Sequence, residues 1–372
     1  MGTGEDAGGG GDPAWGDSED ELMSACHAGD TEGVKRLLEG GADAAYFEPV
    51  RGLTPLMVAS ASGREGCAGL LLEAGAPWMA LDREGRCAGE MALANGHQAC
   101  VDMILAEAVR AELLFAAMSG RGRGLERPPS NADYLSQRVE FSDDGTRILD
   151  TESEAVMMAW EGPLMERHAD VLCGRGGRDV LNVGFGLGMV DRAIQARAPQ
   201  THTIVEAHPE VHRKMLADGW ATKPGVRVLF GRWQDVLGAE AGPPGSPPTP
   251  RYDAIFFDTY GEYYDDMRDF HALLPRLLRP GGTYSFFNGL APHNVFFHAV
   301  CCQVADLELQ ALGFSETTFT PVPVAADAHG EATWDGVKRR YWYLDQYYLP
   351  EATFLGDDRD NRDHPPTPRR EG

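Results

Sequence analysis

Past residue 178 the chain is built from short, β-rich apolar runs separated by amphipathic segments, and few folds accept that pattern. The runs Asp179–Phe185, His202–Ala207, Val226–Gly231, Tyr252–Asp258 and Thr283–Gly289 have the length and composition of strands, while Met189–Arg197 and Glu210–Trp220 have helical periodicity. Strand and helix in strict alternation predict a doubly wound, mostly parallel sheet with helices on both faces. Near the end, Arg339–Pro350 reads as one long aromatic strand suited to an antiparallel edge hairpin with the segment around Phe319. The Pro/Gly-rich stretch Gly238–Arg251 reads as a surface loop.

A second pattern precedes the first. ACHAGDTEGVKRLLEGGADA, ASASGREGCAGLLLEAGAPW and ALANGHQACVDMILAEA overlay one another, with Gly29, Gly63 and Gly96 recurring at intervals of 34 and 33 residues. The pairs Leu37-Leu38, Leu71-Leu72 and Ile104-Leu105 keep the same interval. Thr54 can cap a helix that opens on Pro55, and a glycine turn then admits a second helix. One helix pair cannot bury its apolar face alone, so three copies stack. Thr54-Pro55-Leu56-Met57-Val58-Ala59 is close to the ankyrin signature, and the region resembles a short all-α ankyrin array. The organisation expected is a disordered segment over 1–19, repeats over 20–118, a Gly/Pro/Arg linker over 119–133, a catalytic domain over 134–355 and a disordered tail over 356–372.

Length and composition suit two soluble domains: 372 residues, 43% hydrophobic and 24% charged. The formal charge of -24 repels phosphate backbones, so direct nucleic-acid binding is not expected; it would favour a cationic substrate or partner, though acidity by itself is more simply read as keeping the chain soluble. Seven cysteines without a C-x-x-C pair suit neither a zinc knuckle nor a disulfide framework, and fit a reduced compartment, cytoplasmic or nuclear. The acidic, glycine-rich N-terminus lacks the apolar core of a signal peptide, and no run approaches a membrane span. Asp6 stands where a myristoylation signal wants Ser or Thr.

The chemistry concentrates where the first strand turns. Gly184-Phe185-Gly186-Leu187-Gly188-Met189 lets backbone approach a ligand at a helix start, and Glu206 ends the next strand 22 residues after Gly184. A carboxylate there can accept both hydroxyls of an adenosine ribose. A dinucleotide fingerprint needs its third glycine where Met189 stands, so the pattern favours S-adenosylmethionine over NAD. Leu277-Leu278-Arg279-Pro280-Gly281-Gly282 before a later strand is a turn common in methyltransferases.

Four segments in order, Val156-Met157-Met158-Ala159-Trp160-Glu161-Gly162-Pro163-Leu164-Met165, Val183–Gly186, Gly231-Arg232-Trp233-Gln234-Asp235 and Asp258-Thr259-Tyr260, resemble guanidinoacetate methyltransferase over residues 134–350. Joined to ankyrin-like repeats, the domain resembles the fungal and plant protein arginine N5-methyltransferases. The resemblance implies a seven-stranded methyltransferase sheet. It also implies that S-adenosylmethionine is held by Gly184, Phe185, Gly186, Leu187, Gly188 and Met189, by Glu206, Ala207 and His208, and by Trp233 and Gln234. By the same resemblance, Tyr134, Met157, Met165 and Asp258 would close that pocket, Asp258 and Glu161 would face a guanidinium without a metal, and the acceptor would be a basic protein, the family suggesting a ribosomal one. Met158-Ala159 depart from the small-molecule enzyme.

Each residue has a plainer alternative. Asp258 could cap the following helix, Glu161 could pair with a surface arginine, and Trp233 could be core. The acidic run Glu262, Asp265, Asp266 and Asp269 reads as a solvated face, and His293 and His298 offer only weak metal spacing. A small-molecule guanidino methyltransferase and a non-catalytic scaffold stay open beside the protein-modifying enzyme.

Overall fold

The computed structural model describes residues 17–120, 130–174, 176–241 and 251–356. Most of the expected disordered ends, of the linker and of the Gly238–Arg251 loop lie outside the described residues, but Asp17–Glu19 already belong to the first helix and Gly238–Ala241 to the helix that begins at Trp233. The chain divides into two compact units.

In the first, three helix pairs follow one another: α1 (Asp17–Ala28) and α2 (Thr31–Glu39), α3 (Pro55–Ala61) and α4 (Glu65–Glu73), α5 (Ala88–Ala94) and α6 (Gln98–Gly120). Turns at Gly29, Gly63 and Gly96 join the helices of each pair. The Thr54 hydroxyl accepts from the Met57 amide and Pro55 opens α3, as its spelling requires. The third copy lacks that threonine. There the Glu90 carboxylate reaches back to the Cys87 amide at 3.1 Å and closes the same end. Leu56, Met57, Leu71 and Ile104 are fully buried between pairs, whereas Leu37 and Leu38 in the terminal copy are only half-buried.

The second unit opens with α7 (Ala132–Ser136) and an antiparallel sheet of β1 (Val139–Phe141), β2 (Arg147–Asp150) and β3 (Ala155–Met158). A single 3-10 turn, Ala159–Glu161, leads into α8 (Gly162–Cys173), with Pro163 in its first turn. The main sheet then alternates with helices: β4 (Asp179–Val183), α9 (Met189–Ala196), β5 (Thr201–Glu206), α10 (Pro209–Ala217), β6 (Val226–Phe230), α11 (Trp233–Ala241) and β7 (Tyr252–Phe257). It continues through α12 (Tyr264–His271), α13 (Leu274–Leu277), β8 (Leu278–Phe286), α14 (Val295–Ala311), β9 (Thr318–Pro323) and β10 (Gln346–Thr353).

Seven strands lie in the order β6-β5-β4-β7-β8-β10-β9. Pairings from β6 to β8 are parallel, and β10 runs antiparallel to both β8 and β9. Strand order reverses beside β4, so the chain diverges there and leaves a crevice at the carboxyl ends of β5, β4 and β7. Phe256, Tyr284 and Phe286 are fully buried, as strands covered on both faces must be.

The terminal aromatic run forms the expected antiparallel edge hairpin, with Pro350 opposite Phe319, but its strand begins at Gln346 rather than Arg339 and β9 takes the outermost place. The preceding residues bend instead: the Trp342 indole donates to the Leu344 carbonyl at 2.7 Å and is itself fully buried. That bend places Tyr341 against Glu161.

Candidate active site

The glycine turn after β4 is shaped by what a side chain would strike. Gly184 has φ +100°, and a Cβ there would stand 1.7 Å from the Asp258 carbonyl oxygen. At Gly186, φ +53°, it would stand 2.6 Å from the Met157 sulfur. The Gly184 amide donates to Val205 and the Asp258 amide to Val183, both at 2.9 Å, which locks the three strand ends together. Asn182, fully buried, donates to the Gly184 carbonyl at 2.8 Å and braces the turn from below.

Glu206 points into the same crevice and is 7% exposed. Its two oxygens accept from the Phe185 amide at 3.0 Å and the His208 amide at 2.6 Å. Burial raises its carboxyl above the usual range, while these amides act in the opposite sense. Tyr134 packs on His208, ring centroids 4.7 Å apart, and on Tyr260 at 4.8 Å.

Two further carboxylates face the crevice from other directions. Asp258 follows β7, and its Oδ2 is buried with no hydrogen-bond partner. Burial, and secondarily the charge of Asp191, pushes its carboxyl up to about 7. Glu161 is 3% exposed, accepts from the Met158 amide at 3.0 Å and accepts the phenol of Tyr341. Burial, then the charge of Asp258, pushes Glu161 up to about 8. Tyr341 is held by an aromatic cluster, 5.7 Å from Trp160 and 5.0 Å from Trp334. Neither carboxylate has a cationic partner among the described residues. Paired buried acids without a counter-charge await a cation.

A cavity of about 300 Å³ gathers these groups. Of the residues singled out in the sequence, Tyr134, Met157, Glu161, Gly184, Phe185, Gly186, Glu206, Ala207, Trp233 and Asp258 line it. Leu187, Gly188, Met189, His208 and Gln234 are not among the lining residues, although Gln234 donates to Glu262, which is, and Met165 lies in the core with Ala169, Val180 and Val190. Trp233 is both core and lining: 5% exposed, it packs edge-on against Phe270 at 5.3 Å. No group of three or more His, Cys, Asp or Glu side chains among the described residues is arranged to hold a metal ion.

The acidic run after Tyr260 is not the uniform solvated face expected. Asp265 is exposed and pairs with Arg268 at 2.9 Å, but Glu262 turns into the cavity. Its Oε2 accepts from Thr259 at 2.7 Å, and its carboxylate accepts from the Trp233 indole and the Gln234 amide at 2.9 Å and from Asn131 at 3.3 Å. Asn131, read as linker, is 6% exposed and lines the cavity. The sequence reading thus misses Glu262, Asn131 and Tyr341 as site residues, and holds Tyr260 only as part of the Asp258-Thr259-Tyr260 segment. Their only sequence signal is that Glu262 follows Asp258-Thr259-Tyr260 by two places.

An adenosine-bearing cofactor fits these groups: a glycine cradle that any Cβ would fill, a buried carboxylate at the end of β5 and unpartnered polar atoms facing the crevice. The sequence model of the guanidinoacetate N-methyltransferase family matches residues 131–299, and that of three ankyrin repeats matches 22–113. Among similar proteins, the protein arginine N-methyltransferase 2 of Cryptococcus neoformans is 35% identical over 354 residues, covering 89% of this chain and 94% of that protein. Its counterpart in Yarrowia lipolytica is 41% identical over 60% of this chain and 48% of its own length, and that of Emericella nidulans 32% identical over 77% of each. This chain therefore spans about half the length of the Yarrowia protein and nearly all of the Cryptococcus one.

Proposed function

Because the chain belongs to the family of these protein arginine N-methyltransferases, we propose that it transfers a methyl group from S-adenosylmethionine to the internal (δ) nitrogen of an arginine side chain in a basic protein. The observation that carries this reading is the buried, uncompensated pair Asp258 and Glu161 in one cavity with the glycine turn and Glu206. A guanidinium is a planar, permanently charged donor of several N–H groups, and two carboxylates lining one cavity suit it.

When bound, S-adenosylmethionine supplies a methyl carbon activated by its sulfonium. Gly184, Phe185 and Gly186 would hold its methionine part, Glu206 the ribose, and Ala207, Trp233 and Gln234 the adenine. The rest falls to the protein. Without a cation, burial keeps protons on both carboxyls near neutral pH, helped by the charge of Asp258 at Glu161 and of Asp191 at Asp258. An entering guanidinium supplies the missing positive charge, both carboxylates ionise, and about one proton leaves to solvent. Asp258 Oδ2, free of other partners, then accepts the proton that the reacting nitrogen must lose. Tyr341 holds Glu161 in place through its phenol.

A net charge of -24 suits a basic acceptor, and the resemblance to the arginine N5-methyltransferases suggests a large-subunit ribosomal protein, met in the cytoplasm or nucleus. The match to the guanidinoacetate family supports a second acceptor, a free small guanidino compound. Incubation of the protein with labelled cofactor, a cell extract and guanidinoacetate, followed by mass spectrometry, separates the readings. Fragmentation expected for a single methyl on the internal nitrogen of a protein arginine supports the proposal. Label on a terminal nitrogen or only on guanidinoacetate refutes it.

A further inference from the structure

The cavity holds one constellation that neither methyl transfer nor guanidinium binding uses. Glu262 collects side-chain N–H groups from Asn131, Gln234 and Trp233, and the hydroxyl of Thr259. An ionised carboxylate only accepts, so the amide groups of Asn131 and Gln234 must turn their nitrogens toward it. Their oxygens consequently face the other way. Asn131 Oδ1 and Gln234 Oε1 are both buried, and neither has a hydrogen-bond partner. Two buried amide oxygens held without donors are costly unless a ligand supplies N–H groups.

Their position says which end of the ligand that is. The Gly231 amide donates to the Glu206 carbonyl at 3.0 Å, so the turn carrying Trp233 and Gln234 lies at the carboxyl end of β5, beside the carboxylate assigned to the ribose. We infer that Glu262 is a positioning residue: through Asn131 and Gln234 it presents two fixed acceptors to the exocyclic amine of the cofactor's purine and so selects a 6-amino over a 6-oxo base. A 6-oxo purine would set a carbonyl oxygen against these oxygens, acceptor against acceptor, with no freedom for the amides to flip. Glu262 also anchors the Trp233 indole, so ring and polar edge are set by one carboxylate.

This inference rests on the cofactor reading above, and one calorimetric series separates the two. The full chain is titrated with S-adenosylhomocysteine and with S-inosylhomocysteine, its 6-oxo counterpart. The expected preference for the adenosyl compound is about 30-fold or more, since a site built to pair a donor rejects a ligand lacking it. In Glu262→Gln, where the side chain can donate as well as accept, the preference should fall at least about tenfold, chiefly through weaker binding of the adenosyl compound. In Asn131→Leu, which removes one acceptor and leaves Glu262 intact, the adenosyl compound should weaken while the inosyl compound holds or tightens. An equal loss for both ligands in Glu262→Gln, or equal affinities in the unaltered protein, overturns the inference alone. Binding of neither ligand by the unaltered protein overturns the cofactor reading with it.

Discussion

The two ends of the catalytic cavity handle buried charge differently. At the β5 end, Glu206 is enclosed but its oxygens already accept backbone amides from Phe185 and His208. At the β7 end, Asp258 Oδ2 has no partner, and Glu161 has one amide and one phenol beside a like charge. One carboxylate is satisfied by the scaffold before any ligand arrives. The other two lack such support, and either a bound proton or a cation must neutralise them. Pre-organisation at the first end and stored electrostatic demand at the second are distinct designs, and they should fail in distinct ways.

The sharpest break is in rate. Asp258→Asn keeps size but removes both the counter-charge and the proton acceptor, and steady-state turnover should fall by about 10²–10⁴-fold. S-adenosylhomocysteine binding, measured by calorimetry, should change far less. Near-normal turnover would show that the β7 carboxylate has no role in the chemistry. The mirror experiment is Glu206→Ala, which should weaken S-adenosylhomocysteine by about 1.5–3 kcal/mol, the scale of hydrogen bonds to a charged group. If Glu206→Ala instead spares cofactor affinity and abolishes turnover, the division of labour is reversed.

Stability should separate the ends as well. The folded-state carboxyls of Asp258 and Glu161 sit near 7 and 8, well above their ordinary values, so the folded protein binds more protons than the unfolded chain between about pH 4 and 8. The sign follows: the ligand-free protein loses stability as pH rises through that window. Asp258→Asn cannot ionise, so thermal melts should show it more stable than the unaltered protein at pH 8, by about 1–2 kcal/mol, with the gain shrinking toward pH 5. A loss at pH 8 would mean that Asp258 is structural. The smallest effect belongs to Tyr341→Phe. Its phenol favours the ionised form of Glu161, so its removal should move the rising limb of kcat/KM against pH upward by about half a unit to one unit. An unmoved limb would show that Glu161 is not the titrating group.

Local rules account for what was legible. Thr54-Pro55 predicts its own helix start, because cap and first residue are neighbours, and the recurrence of Gly29, Gly63 and Gly96 marks each helix turn for the same reason. In the catalytic unit, alternation of strand and helix is enough to predict a mostly parallel, doubly wound sheet, though not its strand order. At the end of the chain the edge hairpin with Phe319 is legible but its start is not: Arg339–Asp345 carries strand-like aromatics, yet it bends where Trp342 is buried, and the strand begins only at Gln346.

The sequence by itself therefore determined the glycine turn, the carboxylates at the ends of β5 and β7 and the repeat array, since each is a matter of spacing within one or two elements. Only tertiary structure decided that Glu262 faces Asn131 across 131 positions and that Tyr341 meets Glu161 across 180. The physical reason is that side-chain periodicity reports which face of an element is buried, and never which distant side chain lies opposite. An acidic run on one helix entrance can thus be part solvent face and part cavity wall, and the packing of the remaining chain chooses which carboxylate goes inward.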